Sequence, residues 1–505
     1  MISSRRDLWL IPVLIVLAHV VVLRGYGWFR DEFYYLACAA HPDYGYVDHP
    51  ALSIVPLWLV RTFVGDSLVA LRLMAAATLG LTIWTIGQLT DELGGGRFAR
   101  VLAMTCGAIA PVYLALGSFY SMNAFDLLFW ALAAWLLLRA MKTSSLGPWI
   151  ALGVVLGFGL ENKISMLWLV GGLGLGVLVA DPKRLLSRGP WVAGASAAVL
   201  FAPYVIWQAR HDWATLEFMR GVSSGKMLAQ SPVAFLVAQI TNMHPATLPV
   251  WIMGLWYLLV PPPGRWARPL GVAFLAVLAL LALNTTSRSS YLAPAFAPLF
   301  AAGACWWEPR IGRLSRWTRP AVIAVLVLLG LAIAPLAMPM LPVTTYLHYA
   351  AALRQSPQTD ERKALSDLPQ FYADRFGWTE WAAAVTRTYQ SLASDEQRAA
   401  VIFASNYGEA GAIDVLGRPF ELPPAVSGHN NYWLWGPGAN RGDVLIALVP
   451  ASGRARLEQS FESVEQTGTI TCDHCMPYEN HRPIFVCRRP RQSFAAFWAN
   501  VKHFE

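Results

Sequence analysis

Charge is what this 505-residue chain has least of: Asp, Glu, Lys and Arg make up only 14% of it, against 56% hydrophobic residues. It also lacks internal repeats and low-complexity tracts. A mean hydropathy of +0.43 with 22 Trp excludes an ordinary soluble globule. Charge is missing above all from apolar runs long enough to cross roughly 30 Å of hydrocarbon. These fall at about 8–24, 67–89, 100–118, 124–140, 148–161, 163–180, 190–208, 245–260, 269–284, 290–307 and 320–341. The first run is followed by LRGYGWFRDE, without the small-residue cleavage site of a signal peptide, so it is read as a span.

The net charge of +8 suggests nucleic acid until the basic residues are located. Arg5 and Arg6 precede span one, Arg97 and Arg100 lie between spans two and three, and Arg139 and Lys142 follow span four. Lys183, Arg184 and Arg188 follow span six, Arg265 and Arg268 span eight, and Arg310, Arg313, Arg316 and Arg319 span ten. Every second loop is basic, which is the positive-inside pattern. The excess charge therefore reads as topology, with a cytoplasmic N-terminus and, after eleven spans, an exterior C-terminus. The exterior loops are then 25–66, 119–123, about 161–163, 209–244, 285–289 and everything after about 342.

The spans and their loops, 1–344, are expected to form one transmembrane domain. The remainder, 345–505, is mixed in charge, with short strand-like runs (VIFAS, DVLIALV, RPIFVCR) and turn-rich pieces such as LPPAVSGHNNYWLWGPGANRGD. It reads as one soluble α/β domain of ordinary size. In an oxidising exterior compartment a disulfide is expected among its cysteines, most simply Cys475–Cys487. The string CDHC followed by His481 imitates a zinc site, but a single such cluster outside the cell favours the disulfide. Cys38, Cys106 and Cys305, in or beside spans, read as small apolar fillers.

What charge there is gathers in four patches on the expected exterior face. The stretch RDEFYYLACAAHPDYGYVDHP holds Asp31 and Glu32, then a short amphipathic segment expected along the interface, with Tyr34 and Tyr35 at headgroup depth. Asp31 and Tyr35 are one helical turn apart. In the second patch, Asp48-His49-Pro50, the proline holds His49 extended. The third is Asp126 in SFYSMNAFDLLFW, past Ser121 and Asn123 and inside the helix, where an unpaired carboxylate is costly. The fourth is cationic: Arg72, Lys163 in LENKIS, Arg220, Lys226 and Arg288. Any one of these cations could snorkel at a surface. Five on the side away from the basic loops point to an anionic ligand.

Carboxylates and cations at a membrane surface suit group transfer from a lipid-linked phosphate. A carboxylate takes the proton of an attacking hydroxyl or amine, while Arg, Lys or protonated His stabilises charge on the leaving phosphate. The ordered set of a DE pair, YYLA, GYVDHP, SFYSMNAFDLLFW, GLGLENKIS, SRSSYLAPAFAPLFAAGA, ASNYGEAGAIDVLGRPF and SGHNNYWLWGPG runs through nearly the whole chain. It resembles the polyprenyl-phosphate-sugar-dependent transferases of the GT-C fold. These are the protein O-mannosyltransferases, the lipid A aminoarabinose transferases and their bacterial relatives. The resemblance implies an α-helical polytopic protein of the bacterial inner membrane with about eleven transmembrane helices and a periplasmic C-terminal domain.

By that resemblance Asp31 is the catalytic base with Glu32 beside it, and Asp126 orients the acceptor or the base. His49 stands where the aminoarabinose transferases carry a lysine on the donor phosphate, and Asp48 where they carry a glutamate. Arg288 stands where relatives often have a lysine before a Tyr-rich helix start. His49, Arg72, Lys163, Arg220, Lys226 and Arg288 are thus expected on the donor phosphate, and Tyr34, Tyr35, Asp48, Asn123 and Tyr291 around the substrate.

The expected activity is inverting transfer of a sugar from a polyprenyl phosphate to a lipid, glycan or protein acceptor on the extracytoplasmic face. No cofactor is required. Asp31, Glu32 and Asp48 are the oxygen ligands available to a divalent ion, which the cations make unnecessary. A transporter or flippase of a lipid-linked or anionic solute would instead place ionisable groups near the bilayer midplane and show paired broken helices. A sensor whose exterior tail binds a ligand would not need Asp31 and Asp126.

Overall fold

In a long apolar segment a helix satisfies every backbone amide locally, and all eleven apolar runs are helical. The computed structural model describes residues 7–260 and 263–505. Arg5 and Arg6, expected to begin the basic pattern, lie outside the described residues. The first half carries α1 (Asp7–Val21), α2 (Arg30–Ala40), α3 (Ile54–Val64), α4 (Leu68–Glu92), α5 (Arg97–Ala108), α6 (Pro111–Gly117), α7 (Met122–Met141), α8 (Gly147–Asn162) and α9 (Met166–Ala180). There follow α10 (Arg188–Arg210), α11 (Ala214–Gly221), α12 (Pro232–Asn242), α13 (Leu248–Leu259), α14 (Arg268–Leu283), α15 (Ala297–Ile311) and α16 (Thr318–Ala337).

Among the described residues α4, α7, α10 and α16 are each long and apolar enough to cross a membrane alone. A fifth span arises if α5 and α6 count as one, bent by 66° where Pro111 removes a backbone donor. The other apolar helices are shorter: α1 packs against α4, α8 against α7 and α10, α13 against α15 and α14 against α9.

The basic loops meet at one end of the bundle. Lys142 pairs with Glu92 at 2.8 Å and lies 3.9 Å from the Trp266 ring, while Arg184 donates to the Met141 carbonyl at 2.7 Å. Glu308 accepts the amides of Gly96, Phe98 and Ala99 at 2.6–3.1 Å, capping α5 with a carboxylate where the helix dipole favours one.

At the opposite end the chain folds α2 inward. The amphipathic pattern of FYYLACAA predicts an interfacial helix, yet every residue from Glu32 to Ala39 is buried. Its cover is the C-terminal region, whose core is continuous with it: Tyr34, Leu36 and Ala39 share one cluster with Trp381, Ile402, Ile446 and Val486. The helix Tyr407–Leu416 crosses α2 so closely that a Cβ on Gly411 would sit 2.7 Å from the Phe33 Cβ. Part of the string NYGEAGAID is therefore a close-packing surface.

That region is built on a five-stranded sheet of β1 (Ala400–Ala404), β2 (Ala425–Ser427), β3 (Val444–Leu448), β4 (Phe461–Ile470) and β5 (Arg482–Pro490), in the order β2-β1-β3-β5-β4. VIFAS, DVLIALV and RPIFVCR supply β1, β3 and β5, whose apolar runs are buried. β4 was not anticipated: it is an edge strand, largely exposed, and FESVEQTGTI lacks apolar alternation. β2-β1-β3 are parallel, and the chain leaves β1 for β2 on one side and then crosses to β3 on the other. The carboxyl ends of these strands thus flank a topological switch point, where open α/β sheets place ligands.

The expected Cys475–Cys487 disulfide is corrected. Cys475 bonds to Cys472 in the loop after β4, while Cys487 is a free thiol buried in β5 between Leu445 and Val464. With both CDHC sulfurs consumed, the resemblance to a zinc site disappears.

Candidate active site

The first turn of α2 assigns three consecutive charged side chains to three different jobs. Glu32 turns back to accept the Phe29 amide at 2.8 Å, the Tyr120 amide at 3.1 Å and both arms of Arg72 at 2.9 Å. Arg72 spends its remaining donors on the carbonyls of Leu23, Gly25 and Gly27, and both side chains are 0% exposed. This corrects two expectations. Glu32 and Arg72, expected as a catalytic acid and a phosphate ligand, instead face each other and are consumed in pinning the 23–29 turn to α4.

Asp31, by contrast, is 33% exposed. Its Oδ1 accepts the Tyr407 hydroxyl at 2.9 Å and Arg30 Nε at 3.3 Å. Arg30 also donates to the Tyr478 hydroxyl at 2.8 Å and lies 3.7 Å from Asp374. Burial pushes the Asp374 carboxyl up to about 6 against the pull of Arg30. The base candidate is thus oriented by a tyrosine and an arginine.

Beyond Arg30 lies the cation cluster. Arg288 pairs with Glu361 Oε1 at 2.8 Å and Lys226 Nζ stands 4.0 Å from the same oxygen. Burial alone would raise the Glu361 carboxyl, but Arg30, Lys226 and Arg288 together hold it down at about 2. Burial lowers the Lys226 ammonium, opposed by Glu361 and Asp31. Arg220 does not join them; it is exposed on α11 and makes no ion pair among the described residues.

Asp126, 2% exposed, sits 3.4 Å from Lys163 Nζ and accepts the Ser165 hydroxyl at 3.2 Å. The N-cap of its helix is Ser121, whose hydroxyl accepts the Asn123 amide. Lys163 donates to Asn123 Oδ1 at 2.8 Å and lies 4.9 Å from the Tyr291 ring. Tyr291 is one turn on from Arg288, its amide bonded to the Arg288 carbonyl at 3.1 Å. Asp126, Asn123, Lys163 and Tyr291 therefore form one group that adjoins the cations. On its other side the Met122 amide donates to the Tyr35 hydroxyl at 3.0 Å, tying the head of α7 to α2 one turn from Asp31.

His49 also departs from its expected place. It is 0% exposed, with Nδ1 donating to the Pro50 carbonyl at 2.8 Å, its ring stacked on Tyr35 at 5.0 Å, and Nε2 facing Asp48 at 4.0 Å. Enclosed by Tyr34, Tyr35 and Tyr46, it stands apart from the cations and Asp31, against the expectation that it joins them at the phosphate. Asp48 accepts the Tyr34 hydroxyl at 2.9 Å, and burial raises its carboxyl. Asn431, from the string SGHNNYWLWGPG, accepts the Tyr34 hydroxyl and the Val47 amide at 3.1 and 2.7 Å. Glu32 is committed to Arg72 and Asp48 to Tyr34, so Asp31, Glu32 and Asp48 do not form a metal-ligand set. Among the described residues no three His, Cys, Asp or Glu side chains are arranged to hold a metal ion.

A cavity of about 580 Å³ opens beside the cations, lined by Arg30, Lys226, Glu361, Tyr407, His429 and Arg482 among others. Ser405, Asn406 and Tyr407 follow β1, His429 follows β2 and Pro450 follows β3, so it sits at the switch point of the sheet. Sequence reading missed Arg30, Tyr407 and Glu361. Arg30 abuts the DE pair and was open to view; the other two lie in the ordinarily charged C-terminal third.

The fold is that of the GT-C membrane glycosyltransferases. The structure aligns with that of ArnT from Cupriavidus metallidurans bound to undecaprenyl phosphate, at TM-score 0.63 and 12% identity, over 96% of this chain and 98% of that one. ArnT in its apo state aligns equally, at TM-score 0.63 over 94% and 97%. The profile of the family described as dolichyl-phosphate-mannose-protein mannosyltransferase matches residues 48–207, which include Asp48, His49, Asp126 and Lys163. A curated relative, the lipid A galacturonosyltransferase RgtD of Rhizobium johnstonii, is 22% identical over 275 residues, 52% of this chain and 56% of its own length. The chain thus spans little more than half of that relative.

Proposed function

We propose that this chain is an integral-membrane glycosyltransferase that moves a sugar from a polyprenyl phosphate to an acceptor, with inversion at the sugar's anomeric carbon. The observation that carries the reading is that Asp31, the exposed carboxylate of the DE pair, bonds to Arg30 and Tyr407, which line a cavity together with Lys226 and with Glu361, the partner of Arg288. The acceptor's hydroxyl attacks the anomeric carbon while Asp31 takes its proton. The bond from that carbon to the phosphate oxygen breaks, and polyprenyl phosphate leaves with one more negative charge than the phosphodiester had. Cations placed where that charge develops stabilise the transition state more than the ground state. Asp126, held by Lys163 and Ser165, borders the cations from the α7 side, where it orients acceptor or sugar.

The ends of the bundle support an orientation. Basic loops favour the inside, which supports a cavity on the periplasmic face of a bacterial inner membrane. The acceptor, whether lipid, glycan or protein, reaches Asp31 from that side, and the cations serve the leaving phosphate without a metal ion.

Lys226→Ala combined with Arg288→Ala should weaken undecaprenyl phosphate binding by about 10²-fold or more, since hydrogen bonds to charged groups are worth about 1.5–3 kcal/mol each. Arg220→Ala should leave it unchanged. Binding by the double variant within threefold of wild type, measured by titration in detergent, would remove the donor site from these cations.

A further inference from the structure

One carboxylate of the chain already occupies the place where three cations converge. From 353 to 364 the chain runs without helix or ladder and is exposed or half-exposed at every position but one, Glu361. Glu361 is 2% exposed and shares its Oε1 between Arg288 and Lys226. The segment is fastened by a short antiparallel bridge: the Leu228 amide donates to Asp360 at 2.9 Å, the Arg362 amide to Lys226 at 2.8 Å, and Arg362 Nε to Met227 at 3.0 Å. A solvent-facing strap that sends a single charged side chain into a cation site is costly to hold there for packing alone.

We propose that Glu361 is a built-in stand-in for the ligand's phosphate: it neutralises Arg30, Lys226 and Arg288 in the empty protein and is displaced, with its strap, when the phosphate arrives. The inference rests on the donor-site reading above and adds its regulation. Charge balance supplies the argument. Arg30, Lys226 and Arg288 face Asp31, Glu361 and Asp374, and Asp360 also faces Arg288, so these three cations are already fully opposed by carboxylates. A phosphate entering beside Glu361 would add uncompensated negative charge to a partly buried site; the donor's phosphodiester, singly charged like the carboxylate, would replace it charge for charge.

The geometry agrees, because Glu361 and Lys226 both line that cavity and Arg288 pairs with the same Glu361 oxygen. The strap then has a second consequence. After transfer the product phosphate is held by the same three cations, and the returning Glu361 competes for them, which speeds release. Removing its charge should therefore tighten product binding and slow turnover at saturating donor.

Undecaprenyl phosphate binding and tryptic cleavage after Arg362 or Lys363 test this on the full chain. Glu361→Gln should bind undecaprenyl phosphate about tenfold tighter, or about 1.4 kcal/mol. An unchanged or weaker affinity overturns the stand-in, while the Lys226/Arg288 variant separately decides whether the cations hold phosphate at all. Should Glu361→Gln fail to fold, the wild type still decides: undecaprenyl phosphate should accelerate cleavage at the strap, and protection overturns the proposal. Inorganic phosphate at equal concentration should have little effect. If it accelerates cleavage as strongly, displacement stands and the lipid donor reading fails.

Discussion

Asp31→Asn should lower sugar transfer by about 10²- to 10⁴-fold, the span that a positioned general base contributes. Asparagine has the same shape and still accepts the Tyr407 hydroxyl, so the first turn of α2 stays formed. It cannot take the acceptor's proton. Asp31 is 33% exposed, so the variant should stay folded, and with one carboxylate fewer beside the cations it should bind undecaprenyl phosphate at least as tightly as wild type. Single-turnover transfer with a labelled donor reads the effect directly. Transfer at more than a tenth of the wild-type rate would show that another group takes the proton.

The second large effect is on folding. Arg72→Met should destabilise the protein by about 3–5 kcal/mol, because it leaves the Glu32 charge sealed in the core without its partner. Glu32→Leu should cost a similar amount, stranding Arg72 and the amides of Phe29 and Tyr120. The double replacement removes both charges and should cost clearly less than the sum of the singles. Thermal unfolding in detergent gives this cycle, and additive effects would show that the pair does not act as a unit. Comparing Asp31→Asn with Glu32→Leu separates two adjacent acids by phenotype, one catalytic and one structural.

Those neighbours show where sequence reading stops. Charge is rare enough in this chain that Asp31, Asp126, Lys163, Lys226 and Arg288 stand out, and the fold brings all five into one neighbourhood. Sequence cannot say which way a charged side chain turns. Glu32 and Arg72 stand out equally, yet they face each other. His49 sits in an informative motif, but Pro50 and three tyrosines close over it. The FYYLACAA segment is amphipathic, and its pattern assumes that one face meets water or headgroups; the C-terminal region covers that face instead.

The helical bundle was readable because spans are long and apolar, and so were β1, β3 and β5, which are buried runs. β4 carries the polar face of an edge strand and reads as loop. Glu361 and Tyr407 belong to a stretch with unremarkable charge, and only their long-range partners, Arg288 and Asp31, mark them as part of the site.

If a sugar leaves its lipid-linked phosphate in the cavity at the cations, release of that phosphate must match transfer. Purified protein in vesicles, given a polyprenyl-phosphate sugar labelled in both sugar and lipid together with bacterial envelope acceptors, measures it. One polyprenyl phosphate should be released for each sugar found on acceptor, with transfer nearly abolished in Asp31→Asn. Intact donor appearing on the opposite face of the vesicle, with no polyprenyl phosphate released, would contradict it and make the chain a transporter.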